Sequence, residues 1–227
     1  GQARKIRYEM LTNFCIKNRI TTLLTAHNLE DQVETFFIRL SRGSGLTGLS
    51  SMELFSPLER NVKLLRPLLE IKKKVLVKIS KVVFGKYIKD PSNKKNRYLR
   101  TKIRNLKKPL TKSGISYDQI IKSINNLASS KLTLDKYFEK TLRETLHIHK
   151  GNILIDLKKF ENLPNEIKIK IINASIKRLQ KNYYDPRSSK VQNLIKNINS
   201  KNFNKATLGG CLFFQRKDEL CVKKEEK

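Results

Sequence analysis

Apolar positions recur at helical spacing from the start of the chain. In residues 3–18, Ile6, Met10 and Phe14 fall on one face with basic residues opposite, which predicts an amphipathic helix whose apolar face turns inward. The run Thr21-Thr22-Leu23-Leu24-Thr25-Ala26 is short, apolar and β-branched, as a buried strand is, and leads directly into a second amphipathic segment from Leu29 to Leu40. Helix, buried strand and helix in quick succession predict an α/β layered sheet. Arg42-Gly43-Ser44-Gly45-Leu46-Thr47-Gly48 reads as a loop, Val62–Leu65 as a strand stopped by Arg66-Pro67, and 72–83 as a helix. The cluster Asp90-Pro91-Ser92-Asn93 predicts a turn, with Asn93 or Asn96 capping a basic helix that runs to about Leu106.

After residues 109–116, which read as a linker, the rhythm changes. Ile121, Ile124, Leu127, Leu134, Phe138, Leu142 and Leu146 mark one long helical pattern over 117–149. A strand at Asn152–Asp156, helices near 164–181 and 188–199, and a closing hairpin at 206–223 complete a mostly helical α+β unit. The expected organisation is therefore two domains, 1–112 and 117–227.

Charge changes this picture more than any other bulk property. The 227 residues carry 49 basic and 20 acidic side chains, a net charge of +29. From Arg60 to Lys112 there are 19 basic residues against Glu70 and Asp90, so this stretch holds +17. A concentration of that kind points to a phosphate-contacting face and a nucleic-acid partner. Lysine, isoleucine and asparagine are abundant throughout, however, so genome composition also feeds the total. No apolar run reaches the roughly 18 residues of a membrane span. Cys15, Cys211 and Cys221 form no CxxC pair, which predicts no metal site; apolar neighbours around Cys15 and Cys211 predict buried, inert thiols, and the compartment expected is a reducing cytoplasm.

Candidate chemistry collects in Thr25-Ala26-His27-Asn28-Leu29-Glu30-Asp31-Gln32-Val33-Glu34-Thr35, where a strand hands over to a helix. Ligands of open parallel sheets bind at such carboxyl edges. Asn28 is the expected N-cap, with Asp31 and Glu34 one turn apart on one face and His27 just before the cap. An imidazole and two carboxylates at a helix N-terminus suit Mg²⁺–ATP or a proton acceptor. The same Asp31 is also what a capping box requires.

The string AHNLEDQVETFFIRLSRGSGLTGL resembles the AHHxDDQxET…RGSGxxGL stretch of the lysidine synthases, members of the N-type ATP pyrophosphatase superfamily. Further segments match in the same order. Ala3–Tyr8 is similar to the preceding helix, Arg66-Pro67-Leu68-Leu69 to the RPLL element, and Asp90–Asn93 with Tyr98, Arg100 and Ile103-Arg104 to DPSN…RNxIR. Thr207–Cys211 resembles the close of the substrate-binding domain. The resemblance implies an incomplete parallel-sheet ATP-pyrophosphatase domain followed by a smaller, mostly helical substrate-binding domain. It implies a ligase that adenylates C2 of the wobble cytidine of an isoleucine tRNA with ATP, as its Mg²⁺ complex. The amine of free L-lysine then displaces AMP, changing codon reading from AUG to AUA.

By the same resemblance His27, Asp31 and Glu34 line the reaction centre, and Arg100 and Arg104 contact phosphates. Arg42, Gly43, Ser44 and Gly45 lie near the substrate nucleotide and lysine. A homodimer stays open. Asn28 and Glu30 replace the family's second His and first Asp. The superfamily's SGGxDS phosphate loop, which precedes these motifs, occurs nowhere in the 227 residues. The chain is therefore expected to be an N-terminally truncated piece that alone binds ATP weakly. A tRNA-binding module or inactive remnant without ATP chemistry is the other reading.

Overall fold

The computed structural model describes residues 2–59, 61–87, 99–180, 186–200 and 203–225. The motif Asp90–Asn93, Tyr98 and the proposed caps Asn93 and Asn96 lie outside the described residues.

Two compact units divide the chain, Gly1–Leu132 and Thr133–Lys227. In the first, helix α1 (Gln2–Lys17) packs on strand β1 (Thr22–Leu24). The expected inward face of α1 is corrected here: Ile6, Met10 and Phe14 are 48%, 68% and 60% exposed, while Thr12 and Cys15 are buried. Spacing defined the stripe but not the direction of the sheet. β1 pairs in parallel with β3 (Lys63–Leu65), and β2 (Phe55–Pro57) adds to β3 antiparallel, giving the order β1-β3-β2. β2 was not anticipated. Pro57 ends it on an edge, where a missing N–H costs no ladder bond. β1 is the opposite edge, so the buried strand foreseen there leaves Leu24 61% exposed.

Helix α2 (Leu29–Leu40) begins where the sequence places it. Its Leu29 and Val33 form a small core with Tyr117, Ile120 and Ile124 of α7 (Tyr117–Thr145). Between these run α3 (Leu46–Leu49), α4 (Lys73–Phe84), α5 (Leu99–Asn105) and α6 (Lys107–Lys112). α6 replaces the expected linker. Pro109 does not prevent it, because it occupies the third helical position, where the backbone N–H lacks an intrahelical acceptor anyway.

The second unit is a five-stranded antiparallel sheet in the order β4-β5-β8-β7-β6, covered on one face by helices. β4 (Leu146–His149) takes over from α7 sooner than the periodicity suggested, since Lys150 and Gly151, with φ of 47° and 78°, turn the chain straight into β5 (Asn152–Asp156). Two consecutive positive-φ residues make the tight turn whose twist suits a hairpin. α8 (Leu157–Glu161), α9 (Asn165–Leu179) and α10 (Ser188–Ile198) follow. The close is two hairpins: β6 (Lys205–Leu208), β7 (Cys211–Arg216) and β8 (Glu219–Lys224). Gly209-Gly210 is the first of their turns. Phe160, Ile171, Ile176, Phe213, Leu220 and Val222 are at the centre of the core. All three cysteines are free and buried.

Candidate functional site

The β1–β3 ladder runs up to the threshold of the site: the Thr25 N–H donates to Leu65 O (2.9 Å), and the chain leaves the sheet at Ala26. Asn28 is extended and starts α2 with a complete capping box. Its Oδ1 accepts from the Asp31 N–H (3.2 Å), and Asp31 Oδ2 accepts from the Asn28 N–H (3.1 Å). Asn28 is therefore the residue that begins the helix.

One turn on, Glu34 is 1% exposed, and both of its oxygens are used. Arg100 Nε donates to Oε2 (2.7 Å), Arg104 Nε to Oε1 (2.5 Å) and Arg104 Nη2 to Oε2 (3.1 Å). Arg100 also faces Asp31 Oδ1 at 3.5 Å. A buried carboxylate is stable only when paired in this manner. The short helix α5 thus delivers two cations to the N-terminal end of α2, where the peptide dipoles add further positive potential. Hydrogen bonding to Glu34 holds the Arg104 guanidinium above its ordinary pKa, with burial working against it.

His27 is half-buried, and its Nδ1 lies 2.9 Å from Thr25 Oγ1. Burial pushes its pKa down; Asp31 opposes this, while Arg4, Arg66 and Arg100 add to it. The ring is accordingly neutral at neutral pH. Glu30 reaches sideways, accepting the Lys73 N–H at the start of α4 (2.8 Å) and lying 3.6 Å from Lys107 Nζ.

His27, Asp31, Glu34, Arg100 and Arg104 therefore come together. Arg42, Gly43, Ser44 and Gly45 do not join them, for they follow the other end of α2, after 12 helical residues or about 18 Å of rise. There Gly43 has φ 68°, a backbone conformation that favours glycine, and a Cβ on Gly48 would lie 2.5 Å from the Ser44 Cβ, so the Ser44 side chain leaves no room for one. Arg39 fixes the turn by donating from Nη1 to Gly48 O (2.7 Å) and Ser51 O (2.8 Å).

Sequence reasoning passed over two further residues. Arg66 is buried at the end of β3, with Nη1 on Glu53 O (2.8 Å) and Ser56 Oγ (2.5 Å) and Nε without a partner among the described residues. In the sequence it stood out as an arginine between a strand and a proline and as the first residue of the RPLL-like element, without a role. Gln32 clamps the Met52 backbone at both ends, each contact 2.8 Å. These two border a cavity of about 750 Å³ with Phe55, Leu69, Ile121 and Asn125 on its walls.

As for bound groups, Arg100 and Arg104, each about one-third exposed, suit phosphate oxygens. The carboxylates do not offer an open cation cage, because both Glu34 oxygens and Asp31 Oδ2 already accept hydrogen bonds. Among the described residues no group of three or more His, Cys, Asp or Glu side chains is placed to hold a metal ion.

A parallel strand pair, a capped helix and an arginine pair held near its N-terminal end make up the candidate site of an α/β domain. Residues 1–110 match the family model of the PP-loop domain. Over nearly its whole length it is similar to tRNA(Ile)-lysidine synthases. It is 34% identical over 226 residues to that of Wolbachia pipientis wMel, covering 99% of this chain and 52% of the relative. The synthase of Orientia tsutsugamushi (strain Boryong) is 34% identical over 220 residues, 93% of this chain and 49% of its own. That of Ruegeria pomeroyi is 32% identical over 213 residues, 93% and 50%. The chain spans about half the length of the curated relatives it matches. No helix among the described residues is long and apolar enough to cross a membrane.

Proposed function

We propose that this chain carries the base- and lysine-positioning part of ATP-dependent lysidine formation on an isoleucine tRNA. The observation that carries the reading is the Glu34–Arg100–Arg104 cluster at the start of α2, beside Asp31 and a neutral His27. The likeness to tRNA(Ile)-lysidine synthases supports it.

In this reading ATP supplies the activation: the wobble cytidine's C2 oxygen takes AMP and pyrophosphate leaves. Arg100 and Arg104 stabilise the phosphate charge that builds in that step. Glu34 is a positioning residue, holding both guanidinium groups by hydrogen bonds to its two oxygens. His27 accepts the proton when lysine's amine forms its bond to C2, the C2–O bond breaks and AMP departs. This assigns Nδ1–H to Thr25 Oγ1 and leaves Nε2 as the base. Asp31 supports the positive charge that develops on the ring. The cavity beside Gln32 and Arg66 gives the substrate room. Mg²⁺ enters with ATP, and free L-lysine and the tRNA are the other partners. The protein so read works in the cytoplasm.

A chimera in which an SGGxDS-bearing segment precedes Gly1 tests the proposal. Nucleoside mass spectrometry of an isoleucine tRNA transcript, incubated with ATP and lysine, is expected to show lysidine, and Asp31→Asn to abolish it while tRNA binding persists. Activity unchanged in Asp31→Asn and His27→Gln would remove the site. A chimera that binds tRNA but forms no lysidine would favour a binding module without ATP chemistry.

A further inference from the structure

The C-terminal sheet has a second face. Residues paired directly across an antiparallel sheet point to the same side, and here one row crosses all five strands: His147, Leu154, Cys221, Phe214 and Lys205. The neighbouring row, with Ile153, Val222 and Phe213, is the one buried under the helices. Leu154 and Phe214 belong to no part of that core and are half-buried. The Phe214 ring has no aromatic or cationic neighbour among the described residues.

A cavity of about 580 Å³ opens on this face, with Leu154, Phe214 and Cys221 as its floor and His149, Arg216 and Lys217 at its rim. Arg216, Lys217 and Lys205 are exposed and make no ion pair among the described residues; nearby Asp218 is taken by Lys158 at 2.9 Å. Glu219, opposite Arg216 in the register, is the one rim carboxylate left to oppose an anion. An unused aromatic face in mid-sheet, bordered by unpaired cations, matches the way unstacked nucleobases are held: the base on the ring, the phosphates on the rim.

We propose that this open sheet face is a single-stranded RNA site, in which one nucleobase stacks on Phe214 over Leu154 and the flanking phosphates meet Arg216, Lys217 and Lys205. The inference rests on the reading of the chain as a tRNA partner, and it concerns a surface separate from the residues at the start of α2.

Fluorescence anisotropy of the 227-residue chain with a labelled unstructured 12-nucleotide RNA at 0.15 M salt tests it. Phe214→Ala is expected to weaken binding roughly 5- to 100-fold, the range for one lost stacking contact. Phe214→Tyr, which keeps the ring, stays near wild type. Far-UV circular dichroism confirms that both variants are folded, and a 4-thiouridine-substituted oligomer is expected to crosslink to the β7 peptide. Wild-type affinity in Phe214→Ala overturns the proposal. So does equal competition by an abasic oligonucleotide, which offers charge without bases, and so does a wild-type chain that binds no RNA. Lysidine formation by the chimera is a separate readout. If it persists while Phe214→Ala binds normally, the α2 site stands and this surface fails; the converse result removes the α2 site alone.

Discussion

At Glu34 two guanidinium groups share one carboxylate that is almost fully removed from water. Replacing it by glutamine keeps the shape but removes the charge, so Arg100 and Arg104 then repel each other across a neutral amide. The arginines are about one-third exposed, and solvent softens the loss. Glu34→Gln is expected to destabilise the chain by about 1–3 kcal/mol, read as a lower urea midpoint at unchanged m-value. His27 makes a pH-dependent prediction. Its folded pKa is depressed from 6.5, chiefly by burial, so below that value the unfolded chain binds the proton more readily than the folded one. The wild type should therefore lose stability relative to His27→Asn as pH falls from about 7 toward 5, and the two should run parallel above pH 7. Urea titrations across that range check it. A constant difference would mean that the ring is as well solvated folded as unfolded.

At the scale of elements, helix α2 depends on its first residue. Asn28→Ala removes the side-chain arm of the capping box, leaving the backbone N–H of residue 28 on Asp31 Oδ2, and should cost about 1 kcal/mol by thermal or urea unfolding, whereas Asn28→Ser should recover most of it. This box was legible in the sequence because it is local: Asn28 and Asp31 need only each other. β3 and β5 were legible for a related reason, being short apolar runs closed by strong stop signals. What was not legible depended on distant chain. The Ile6, Met10 and Phe14 stripe looked like a core face, but only the position of β1 decides which side of α1 is buried. β2 has three residues ending in proline and exists because β3 offers it a partner. In the site, sequence spacing grouped His27, Asp31 and Glu34 correctly at one helix end. It could not show that Glu34 would be filled by two arginines 66 and 70 residues away.

For the whole molecule, the open question is whether a charge of +29 is used or is only a by-product of lysine-rich coding. The two differ in what salt does. If exposed lysines contact RNA phosphates, each contact releases counterions, and log K falls with log salt by about 0.7–0.9 per phosphate. The outward positions of α4 include Lys74, Lys78 and Lys81, all exposed and without an ion pair among the described residues. No residue of α4 is buried, so changing these three should not disturb packing. In Lys74→Gln/Lys78→Gln/Lys81→Gln, a functional basic face predicts a tRNA-binding slope shallower by about 2–3, with affinity reduced most at low salt. A coding by-product predicts the same slope as wild type, with at most a small uniform shift from the lower net charge. Binding isotherms at four salt concentrations between 0.05 and 0.3 M distinguish these outcomes, because a diffuse field is screened within about 10 Å at 0.1 M while a phosphate contact keeps its stoichiometric cost.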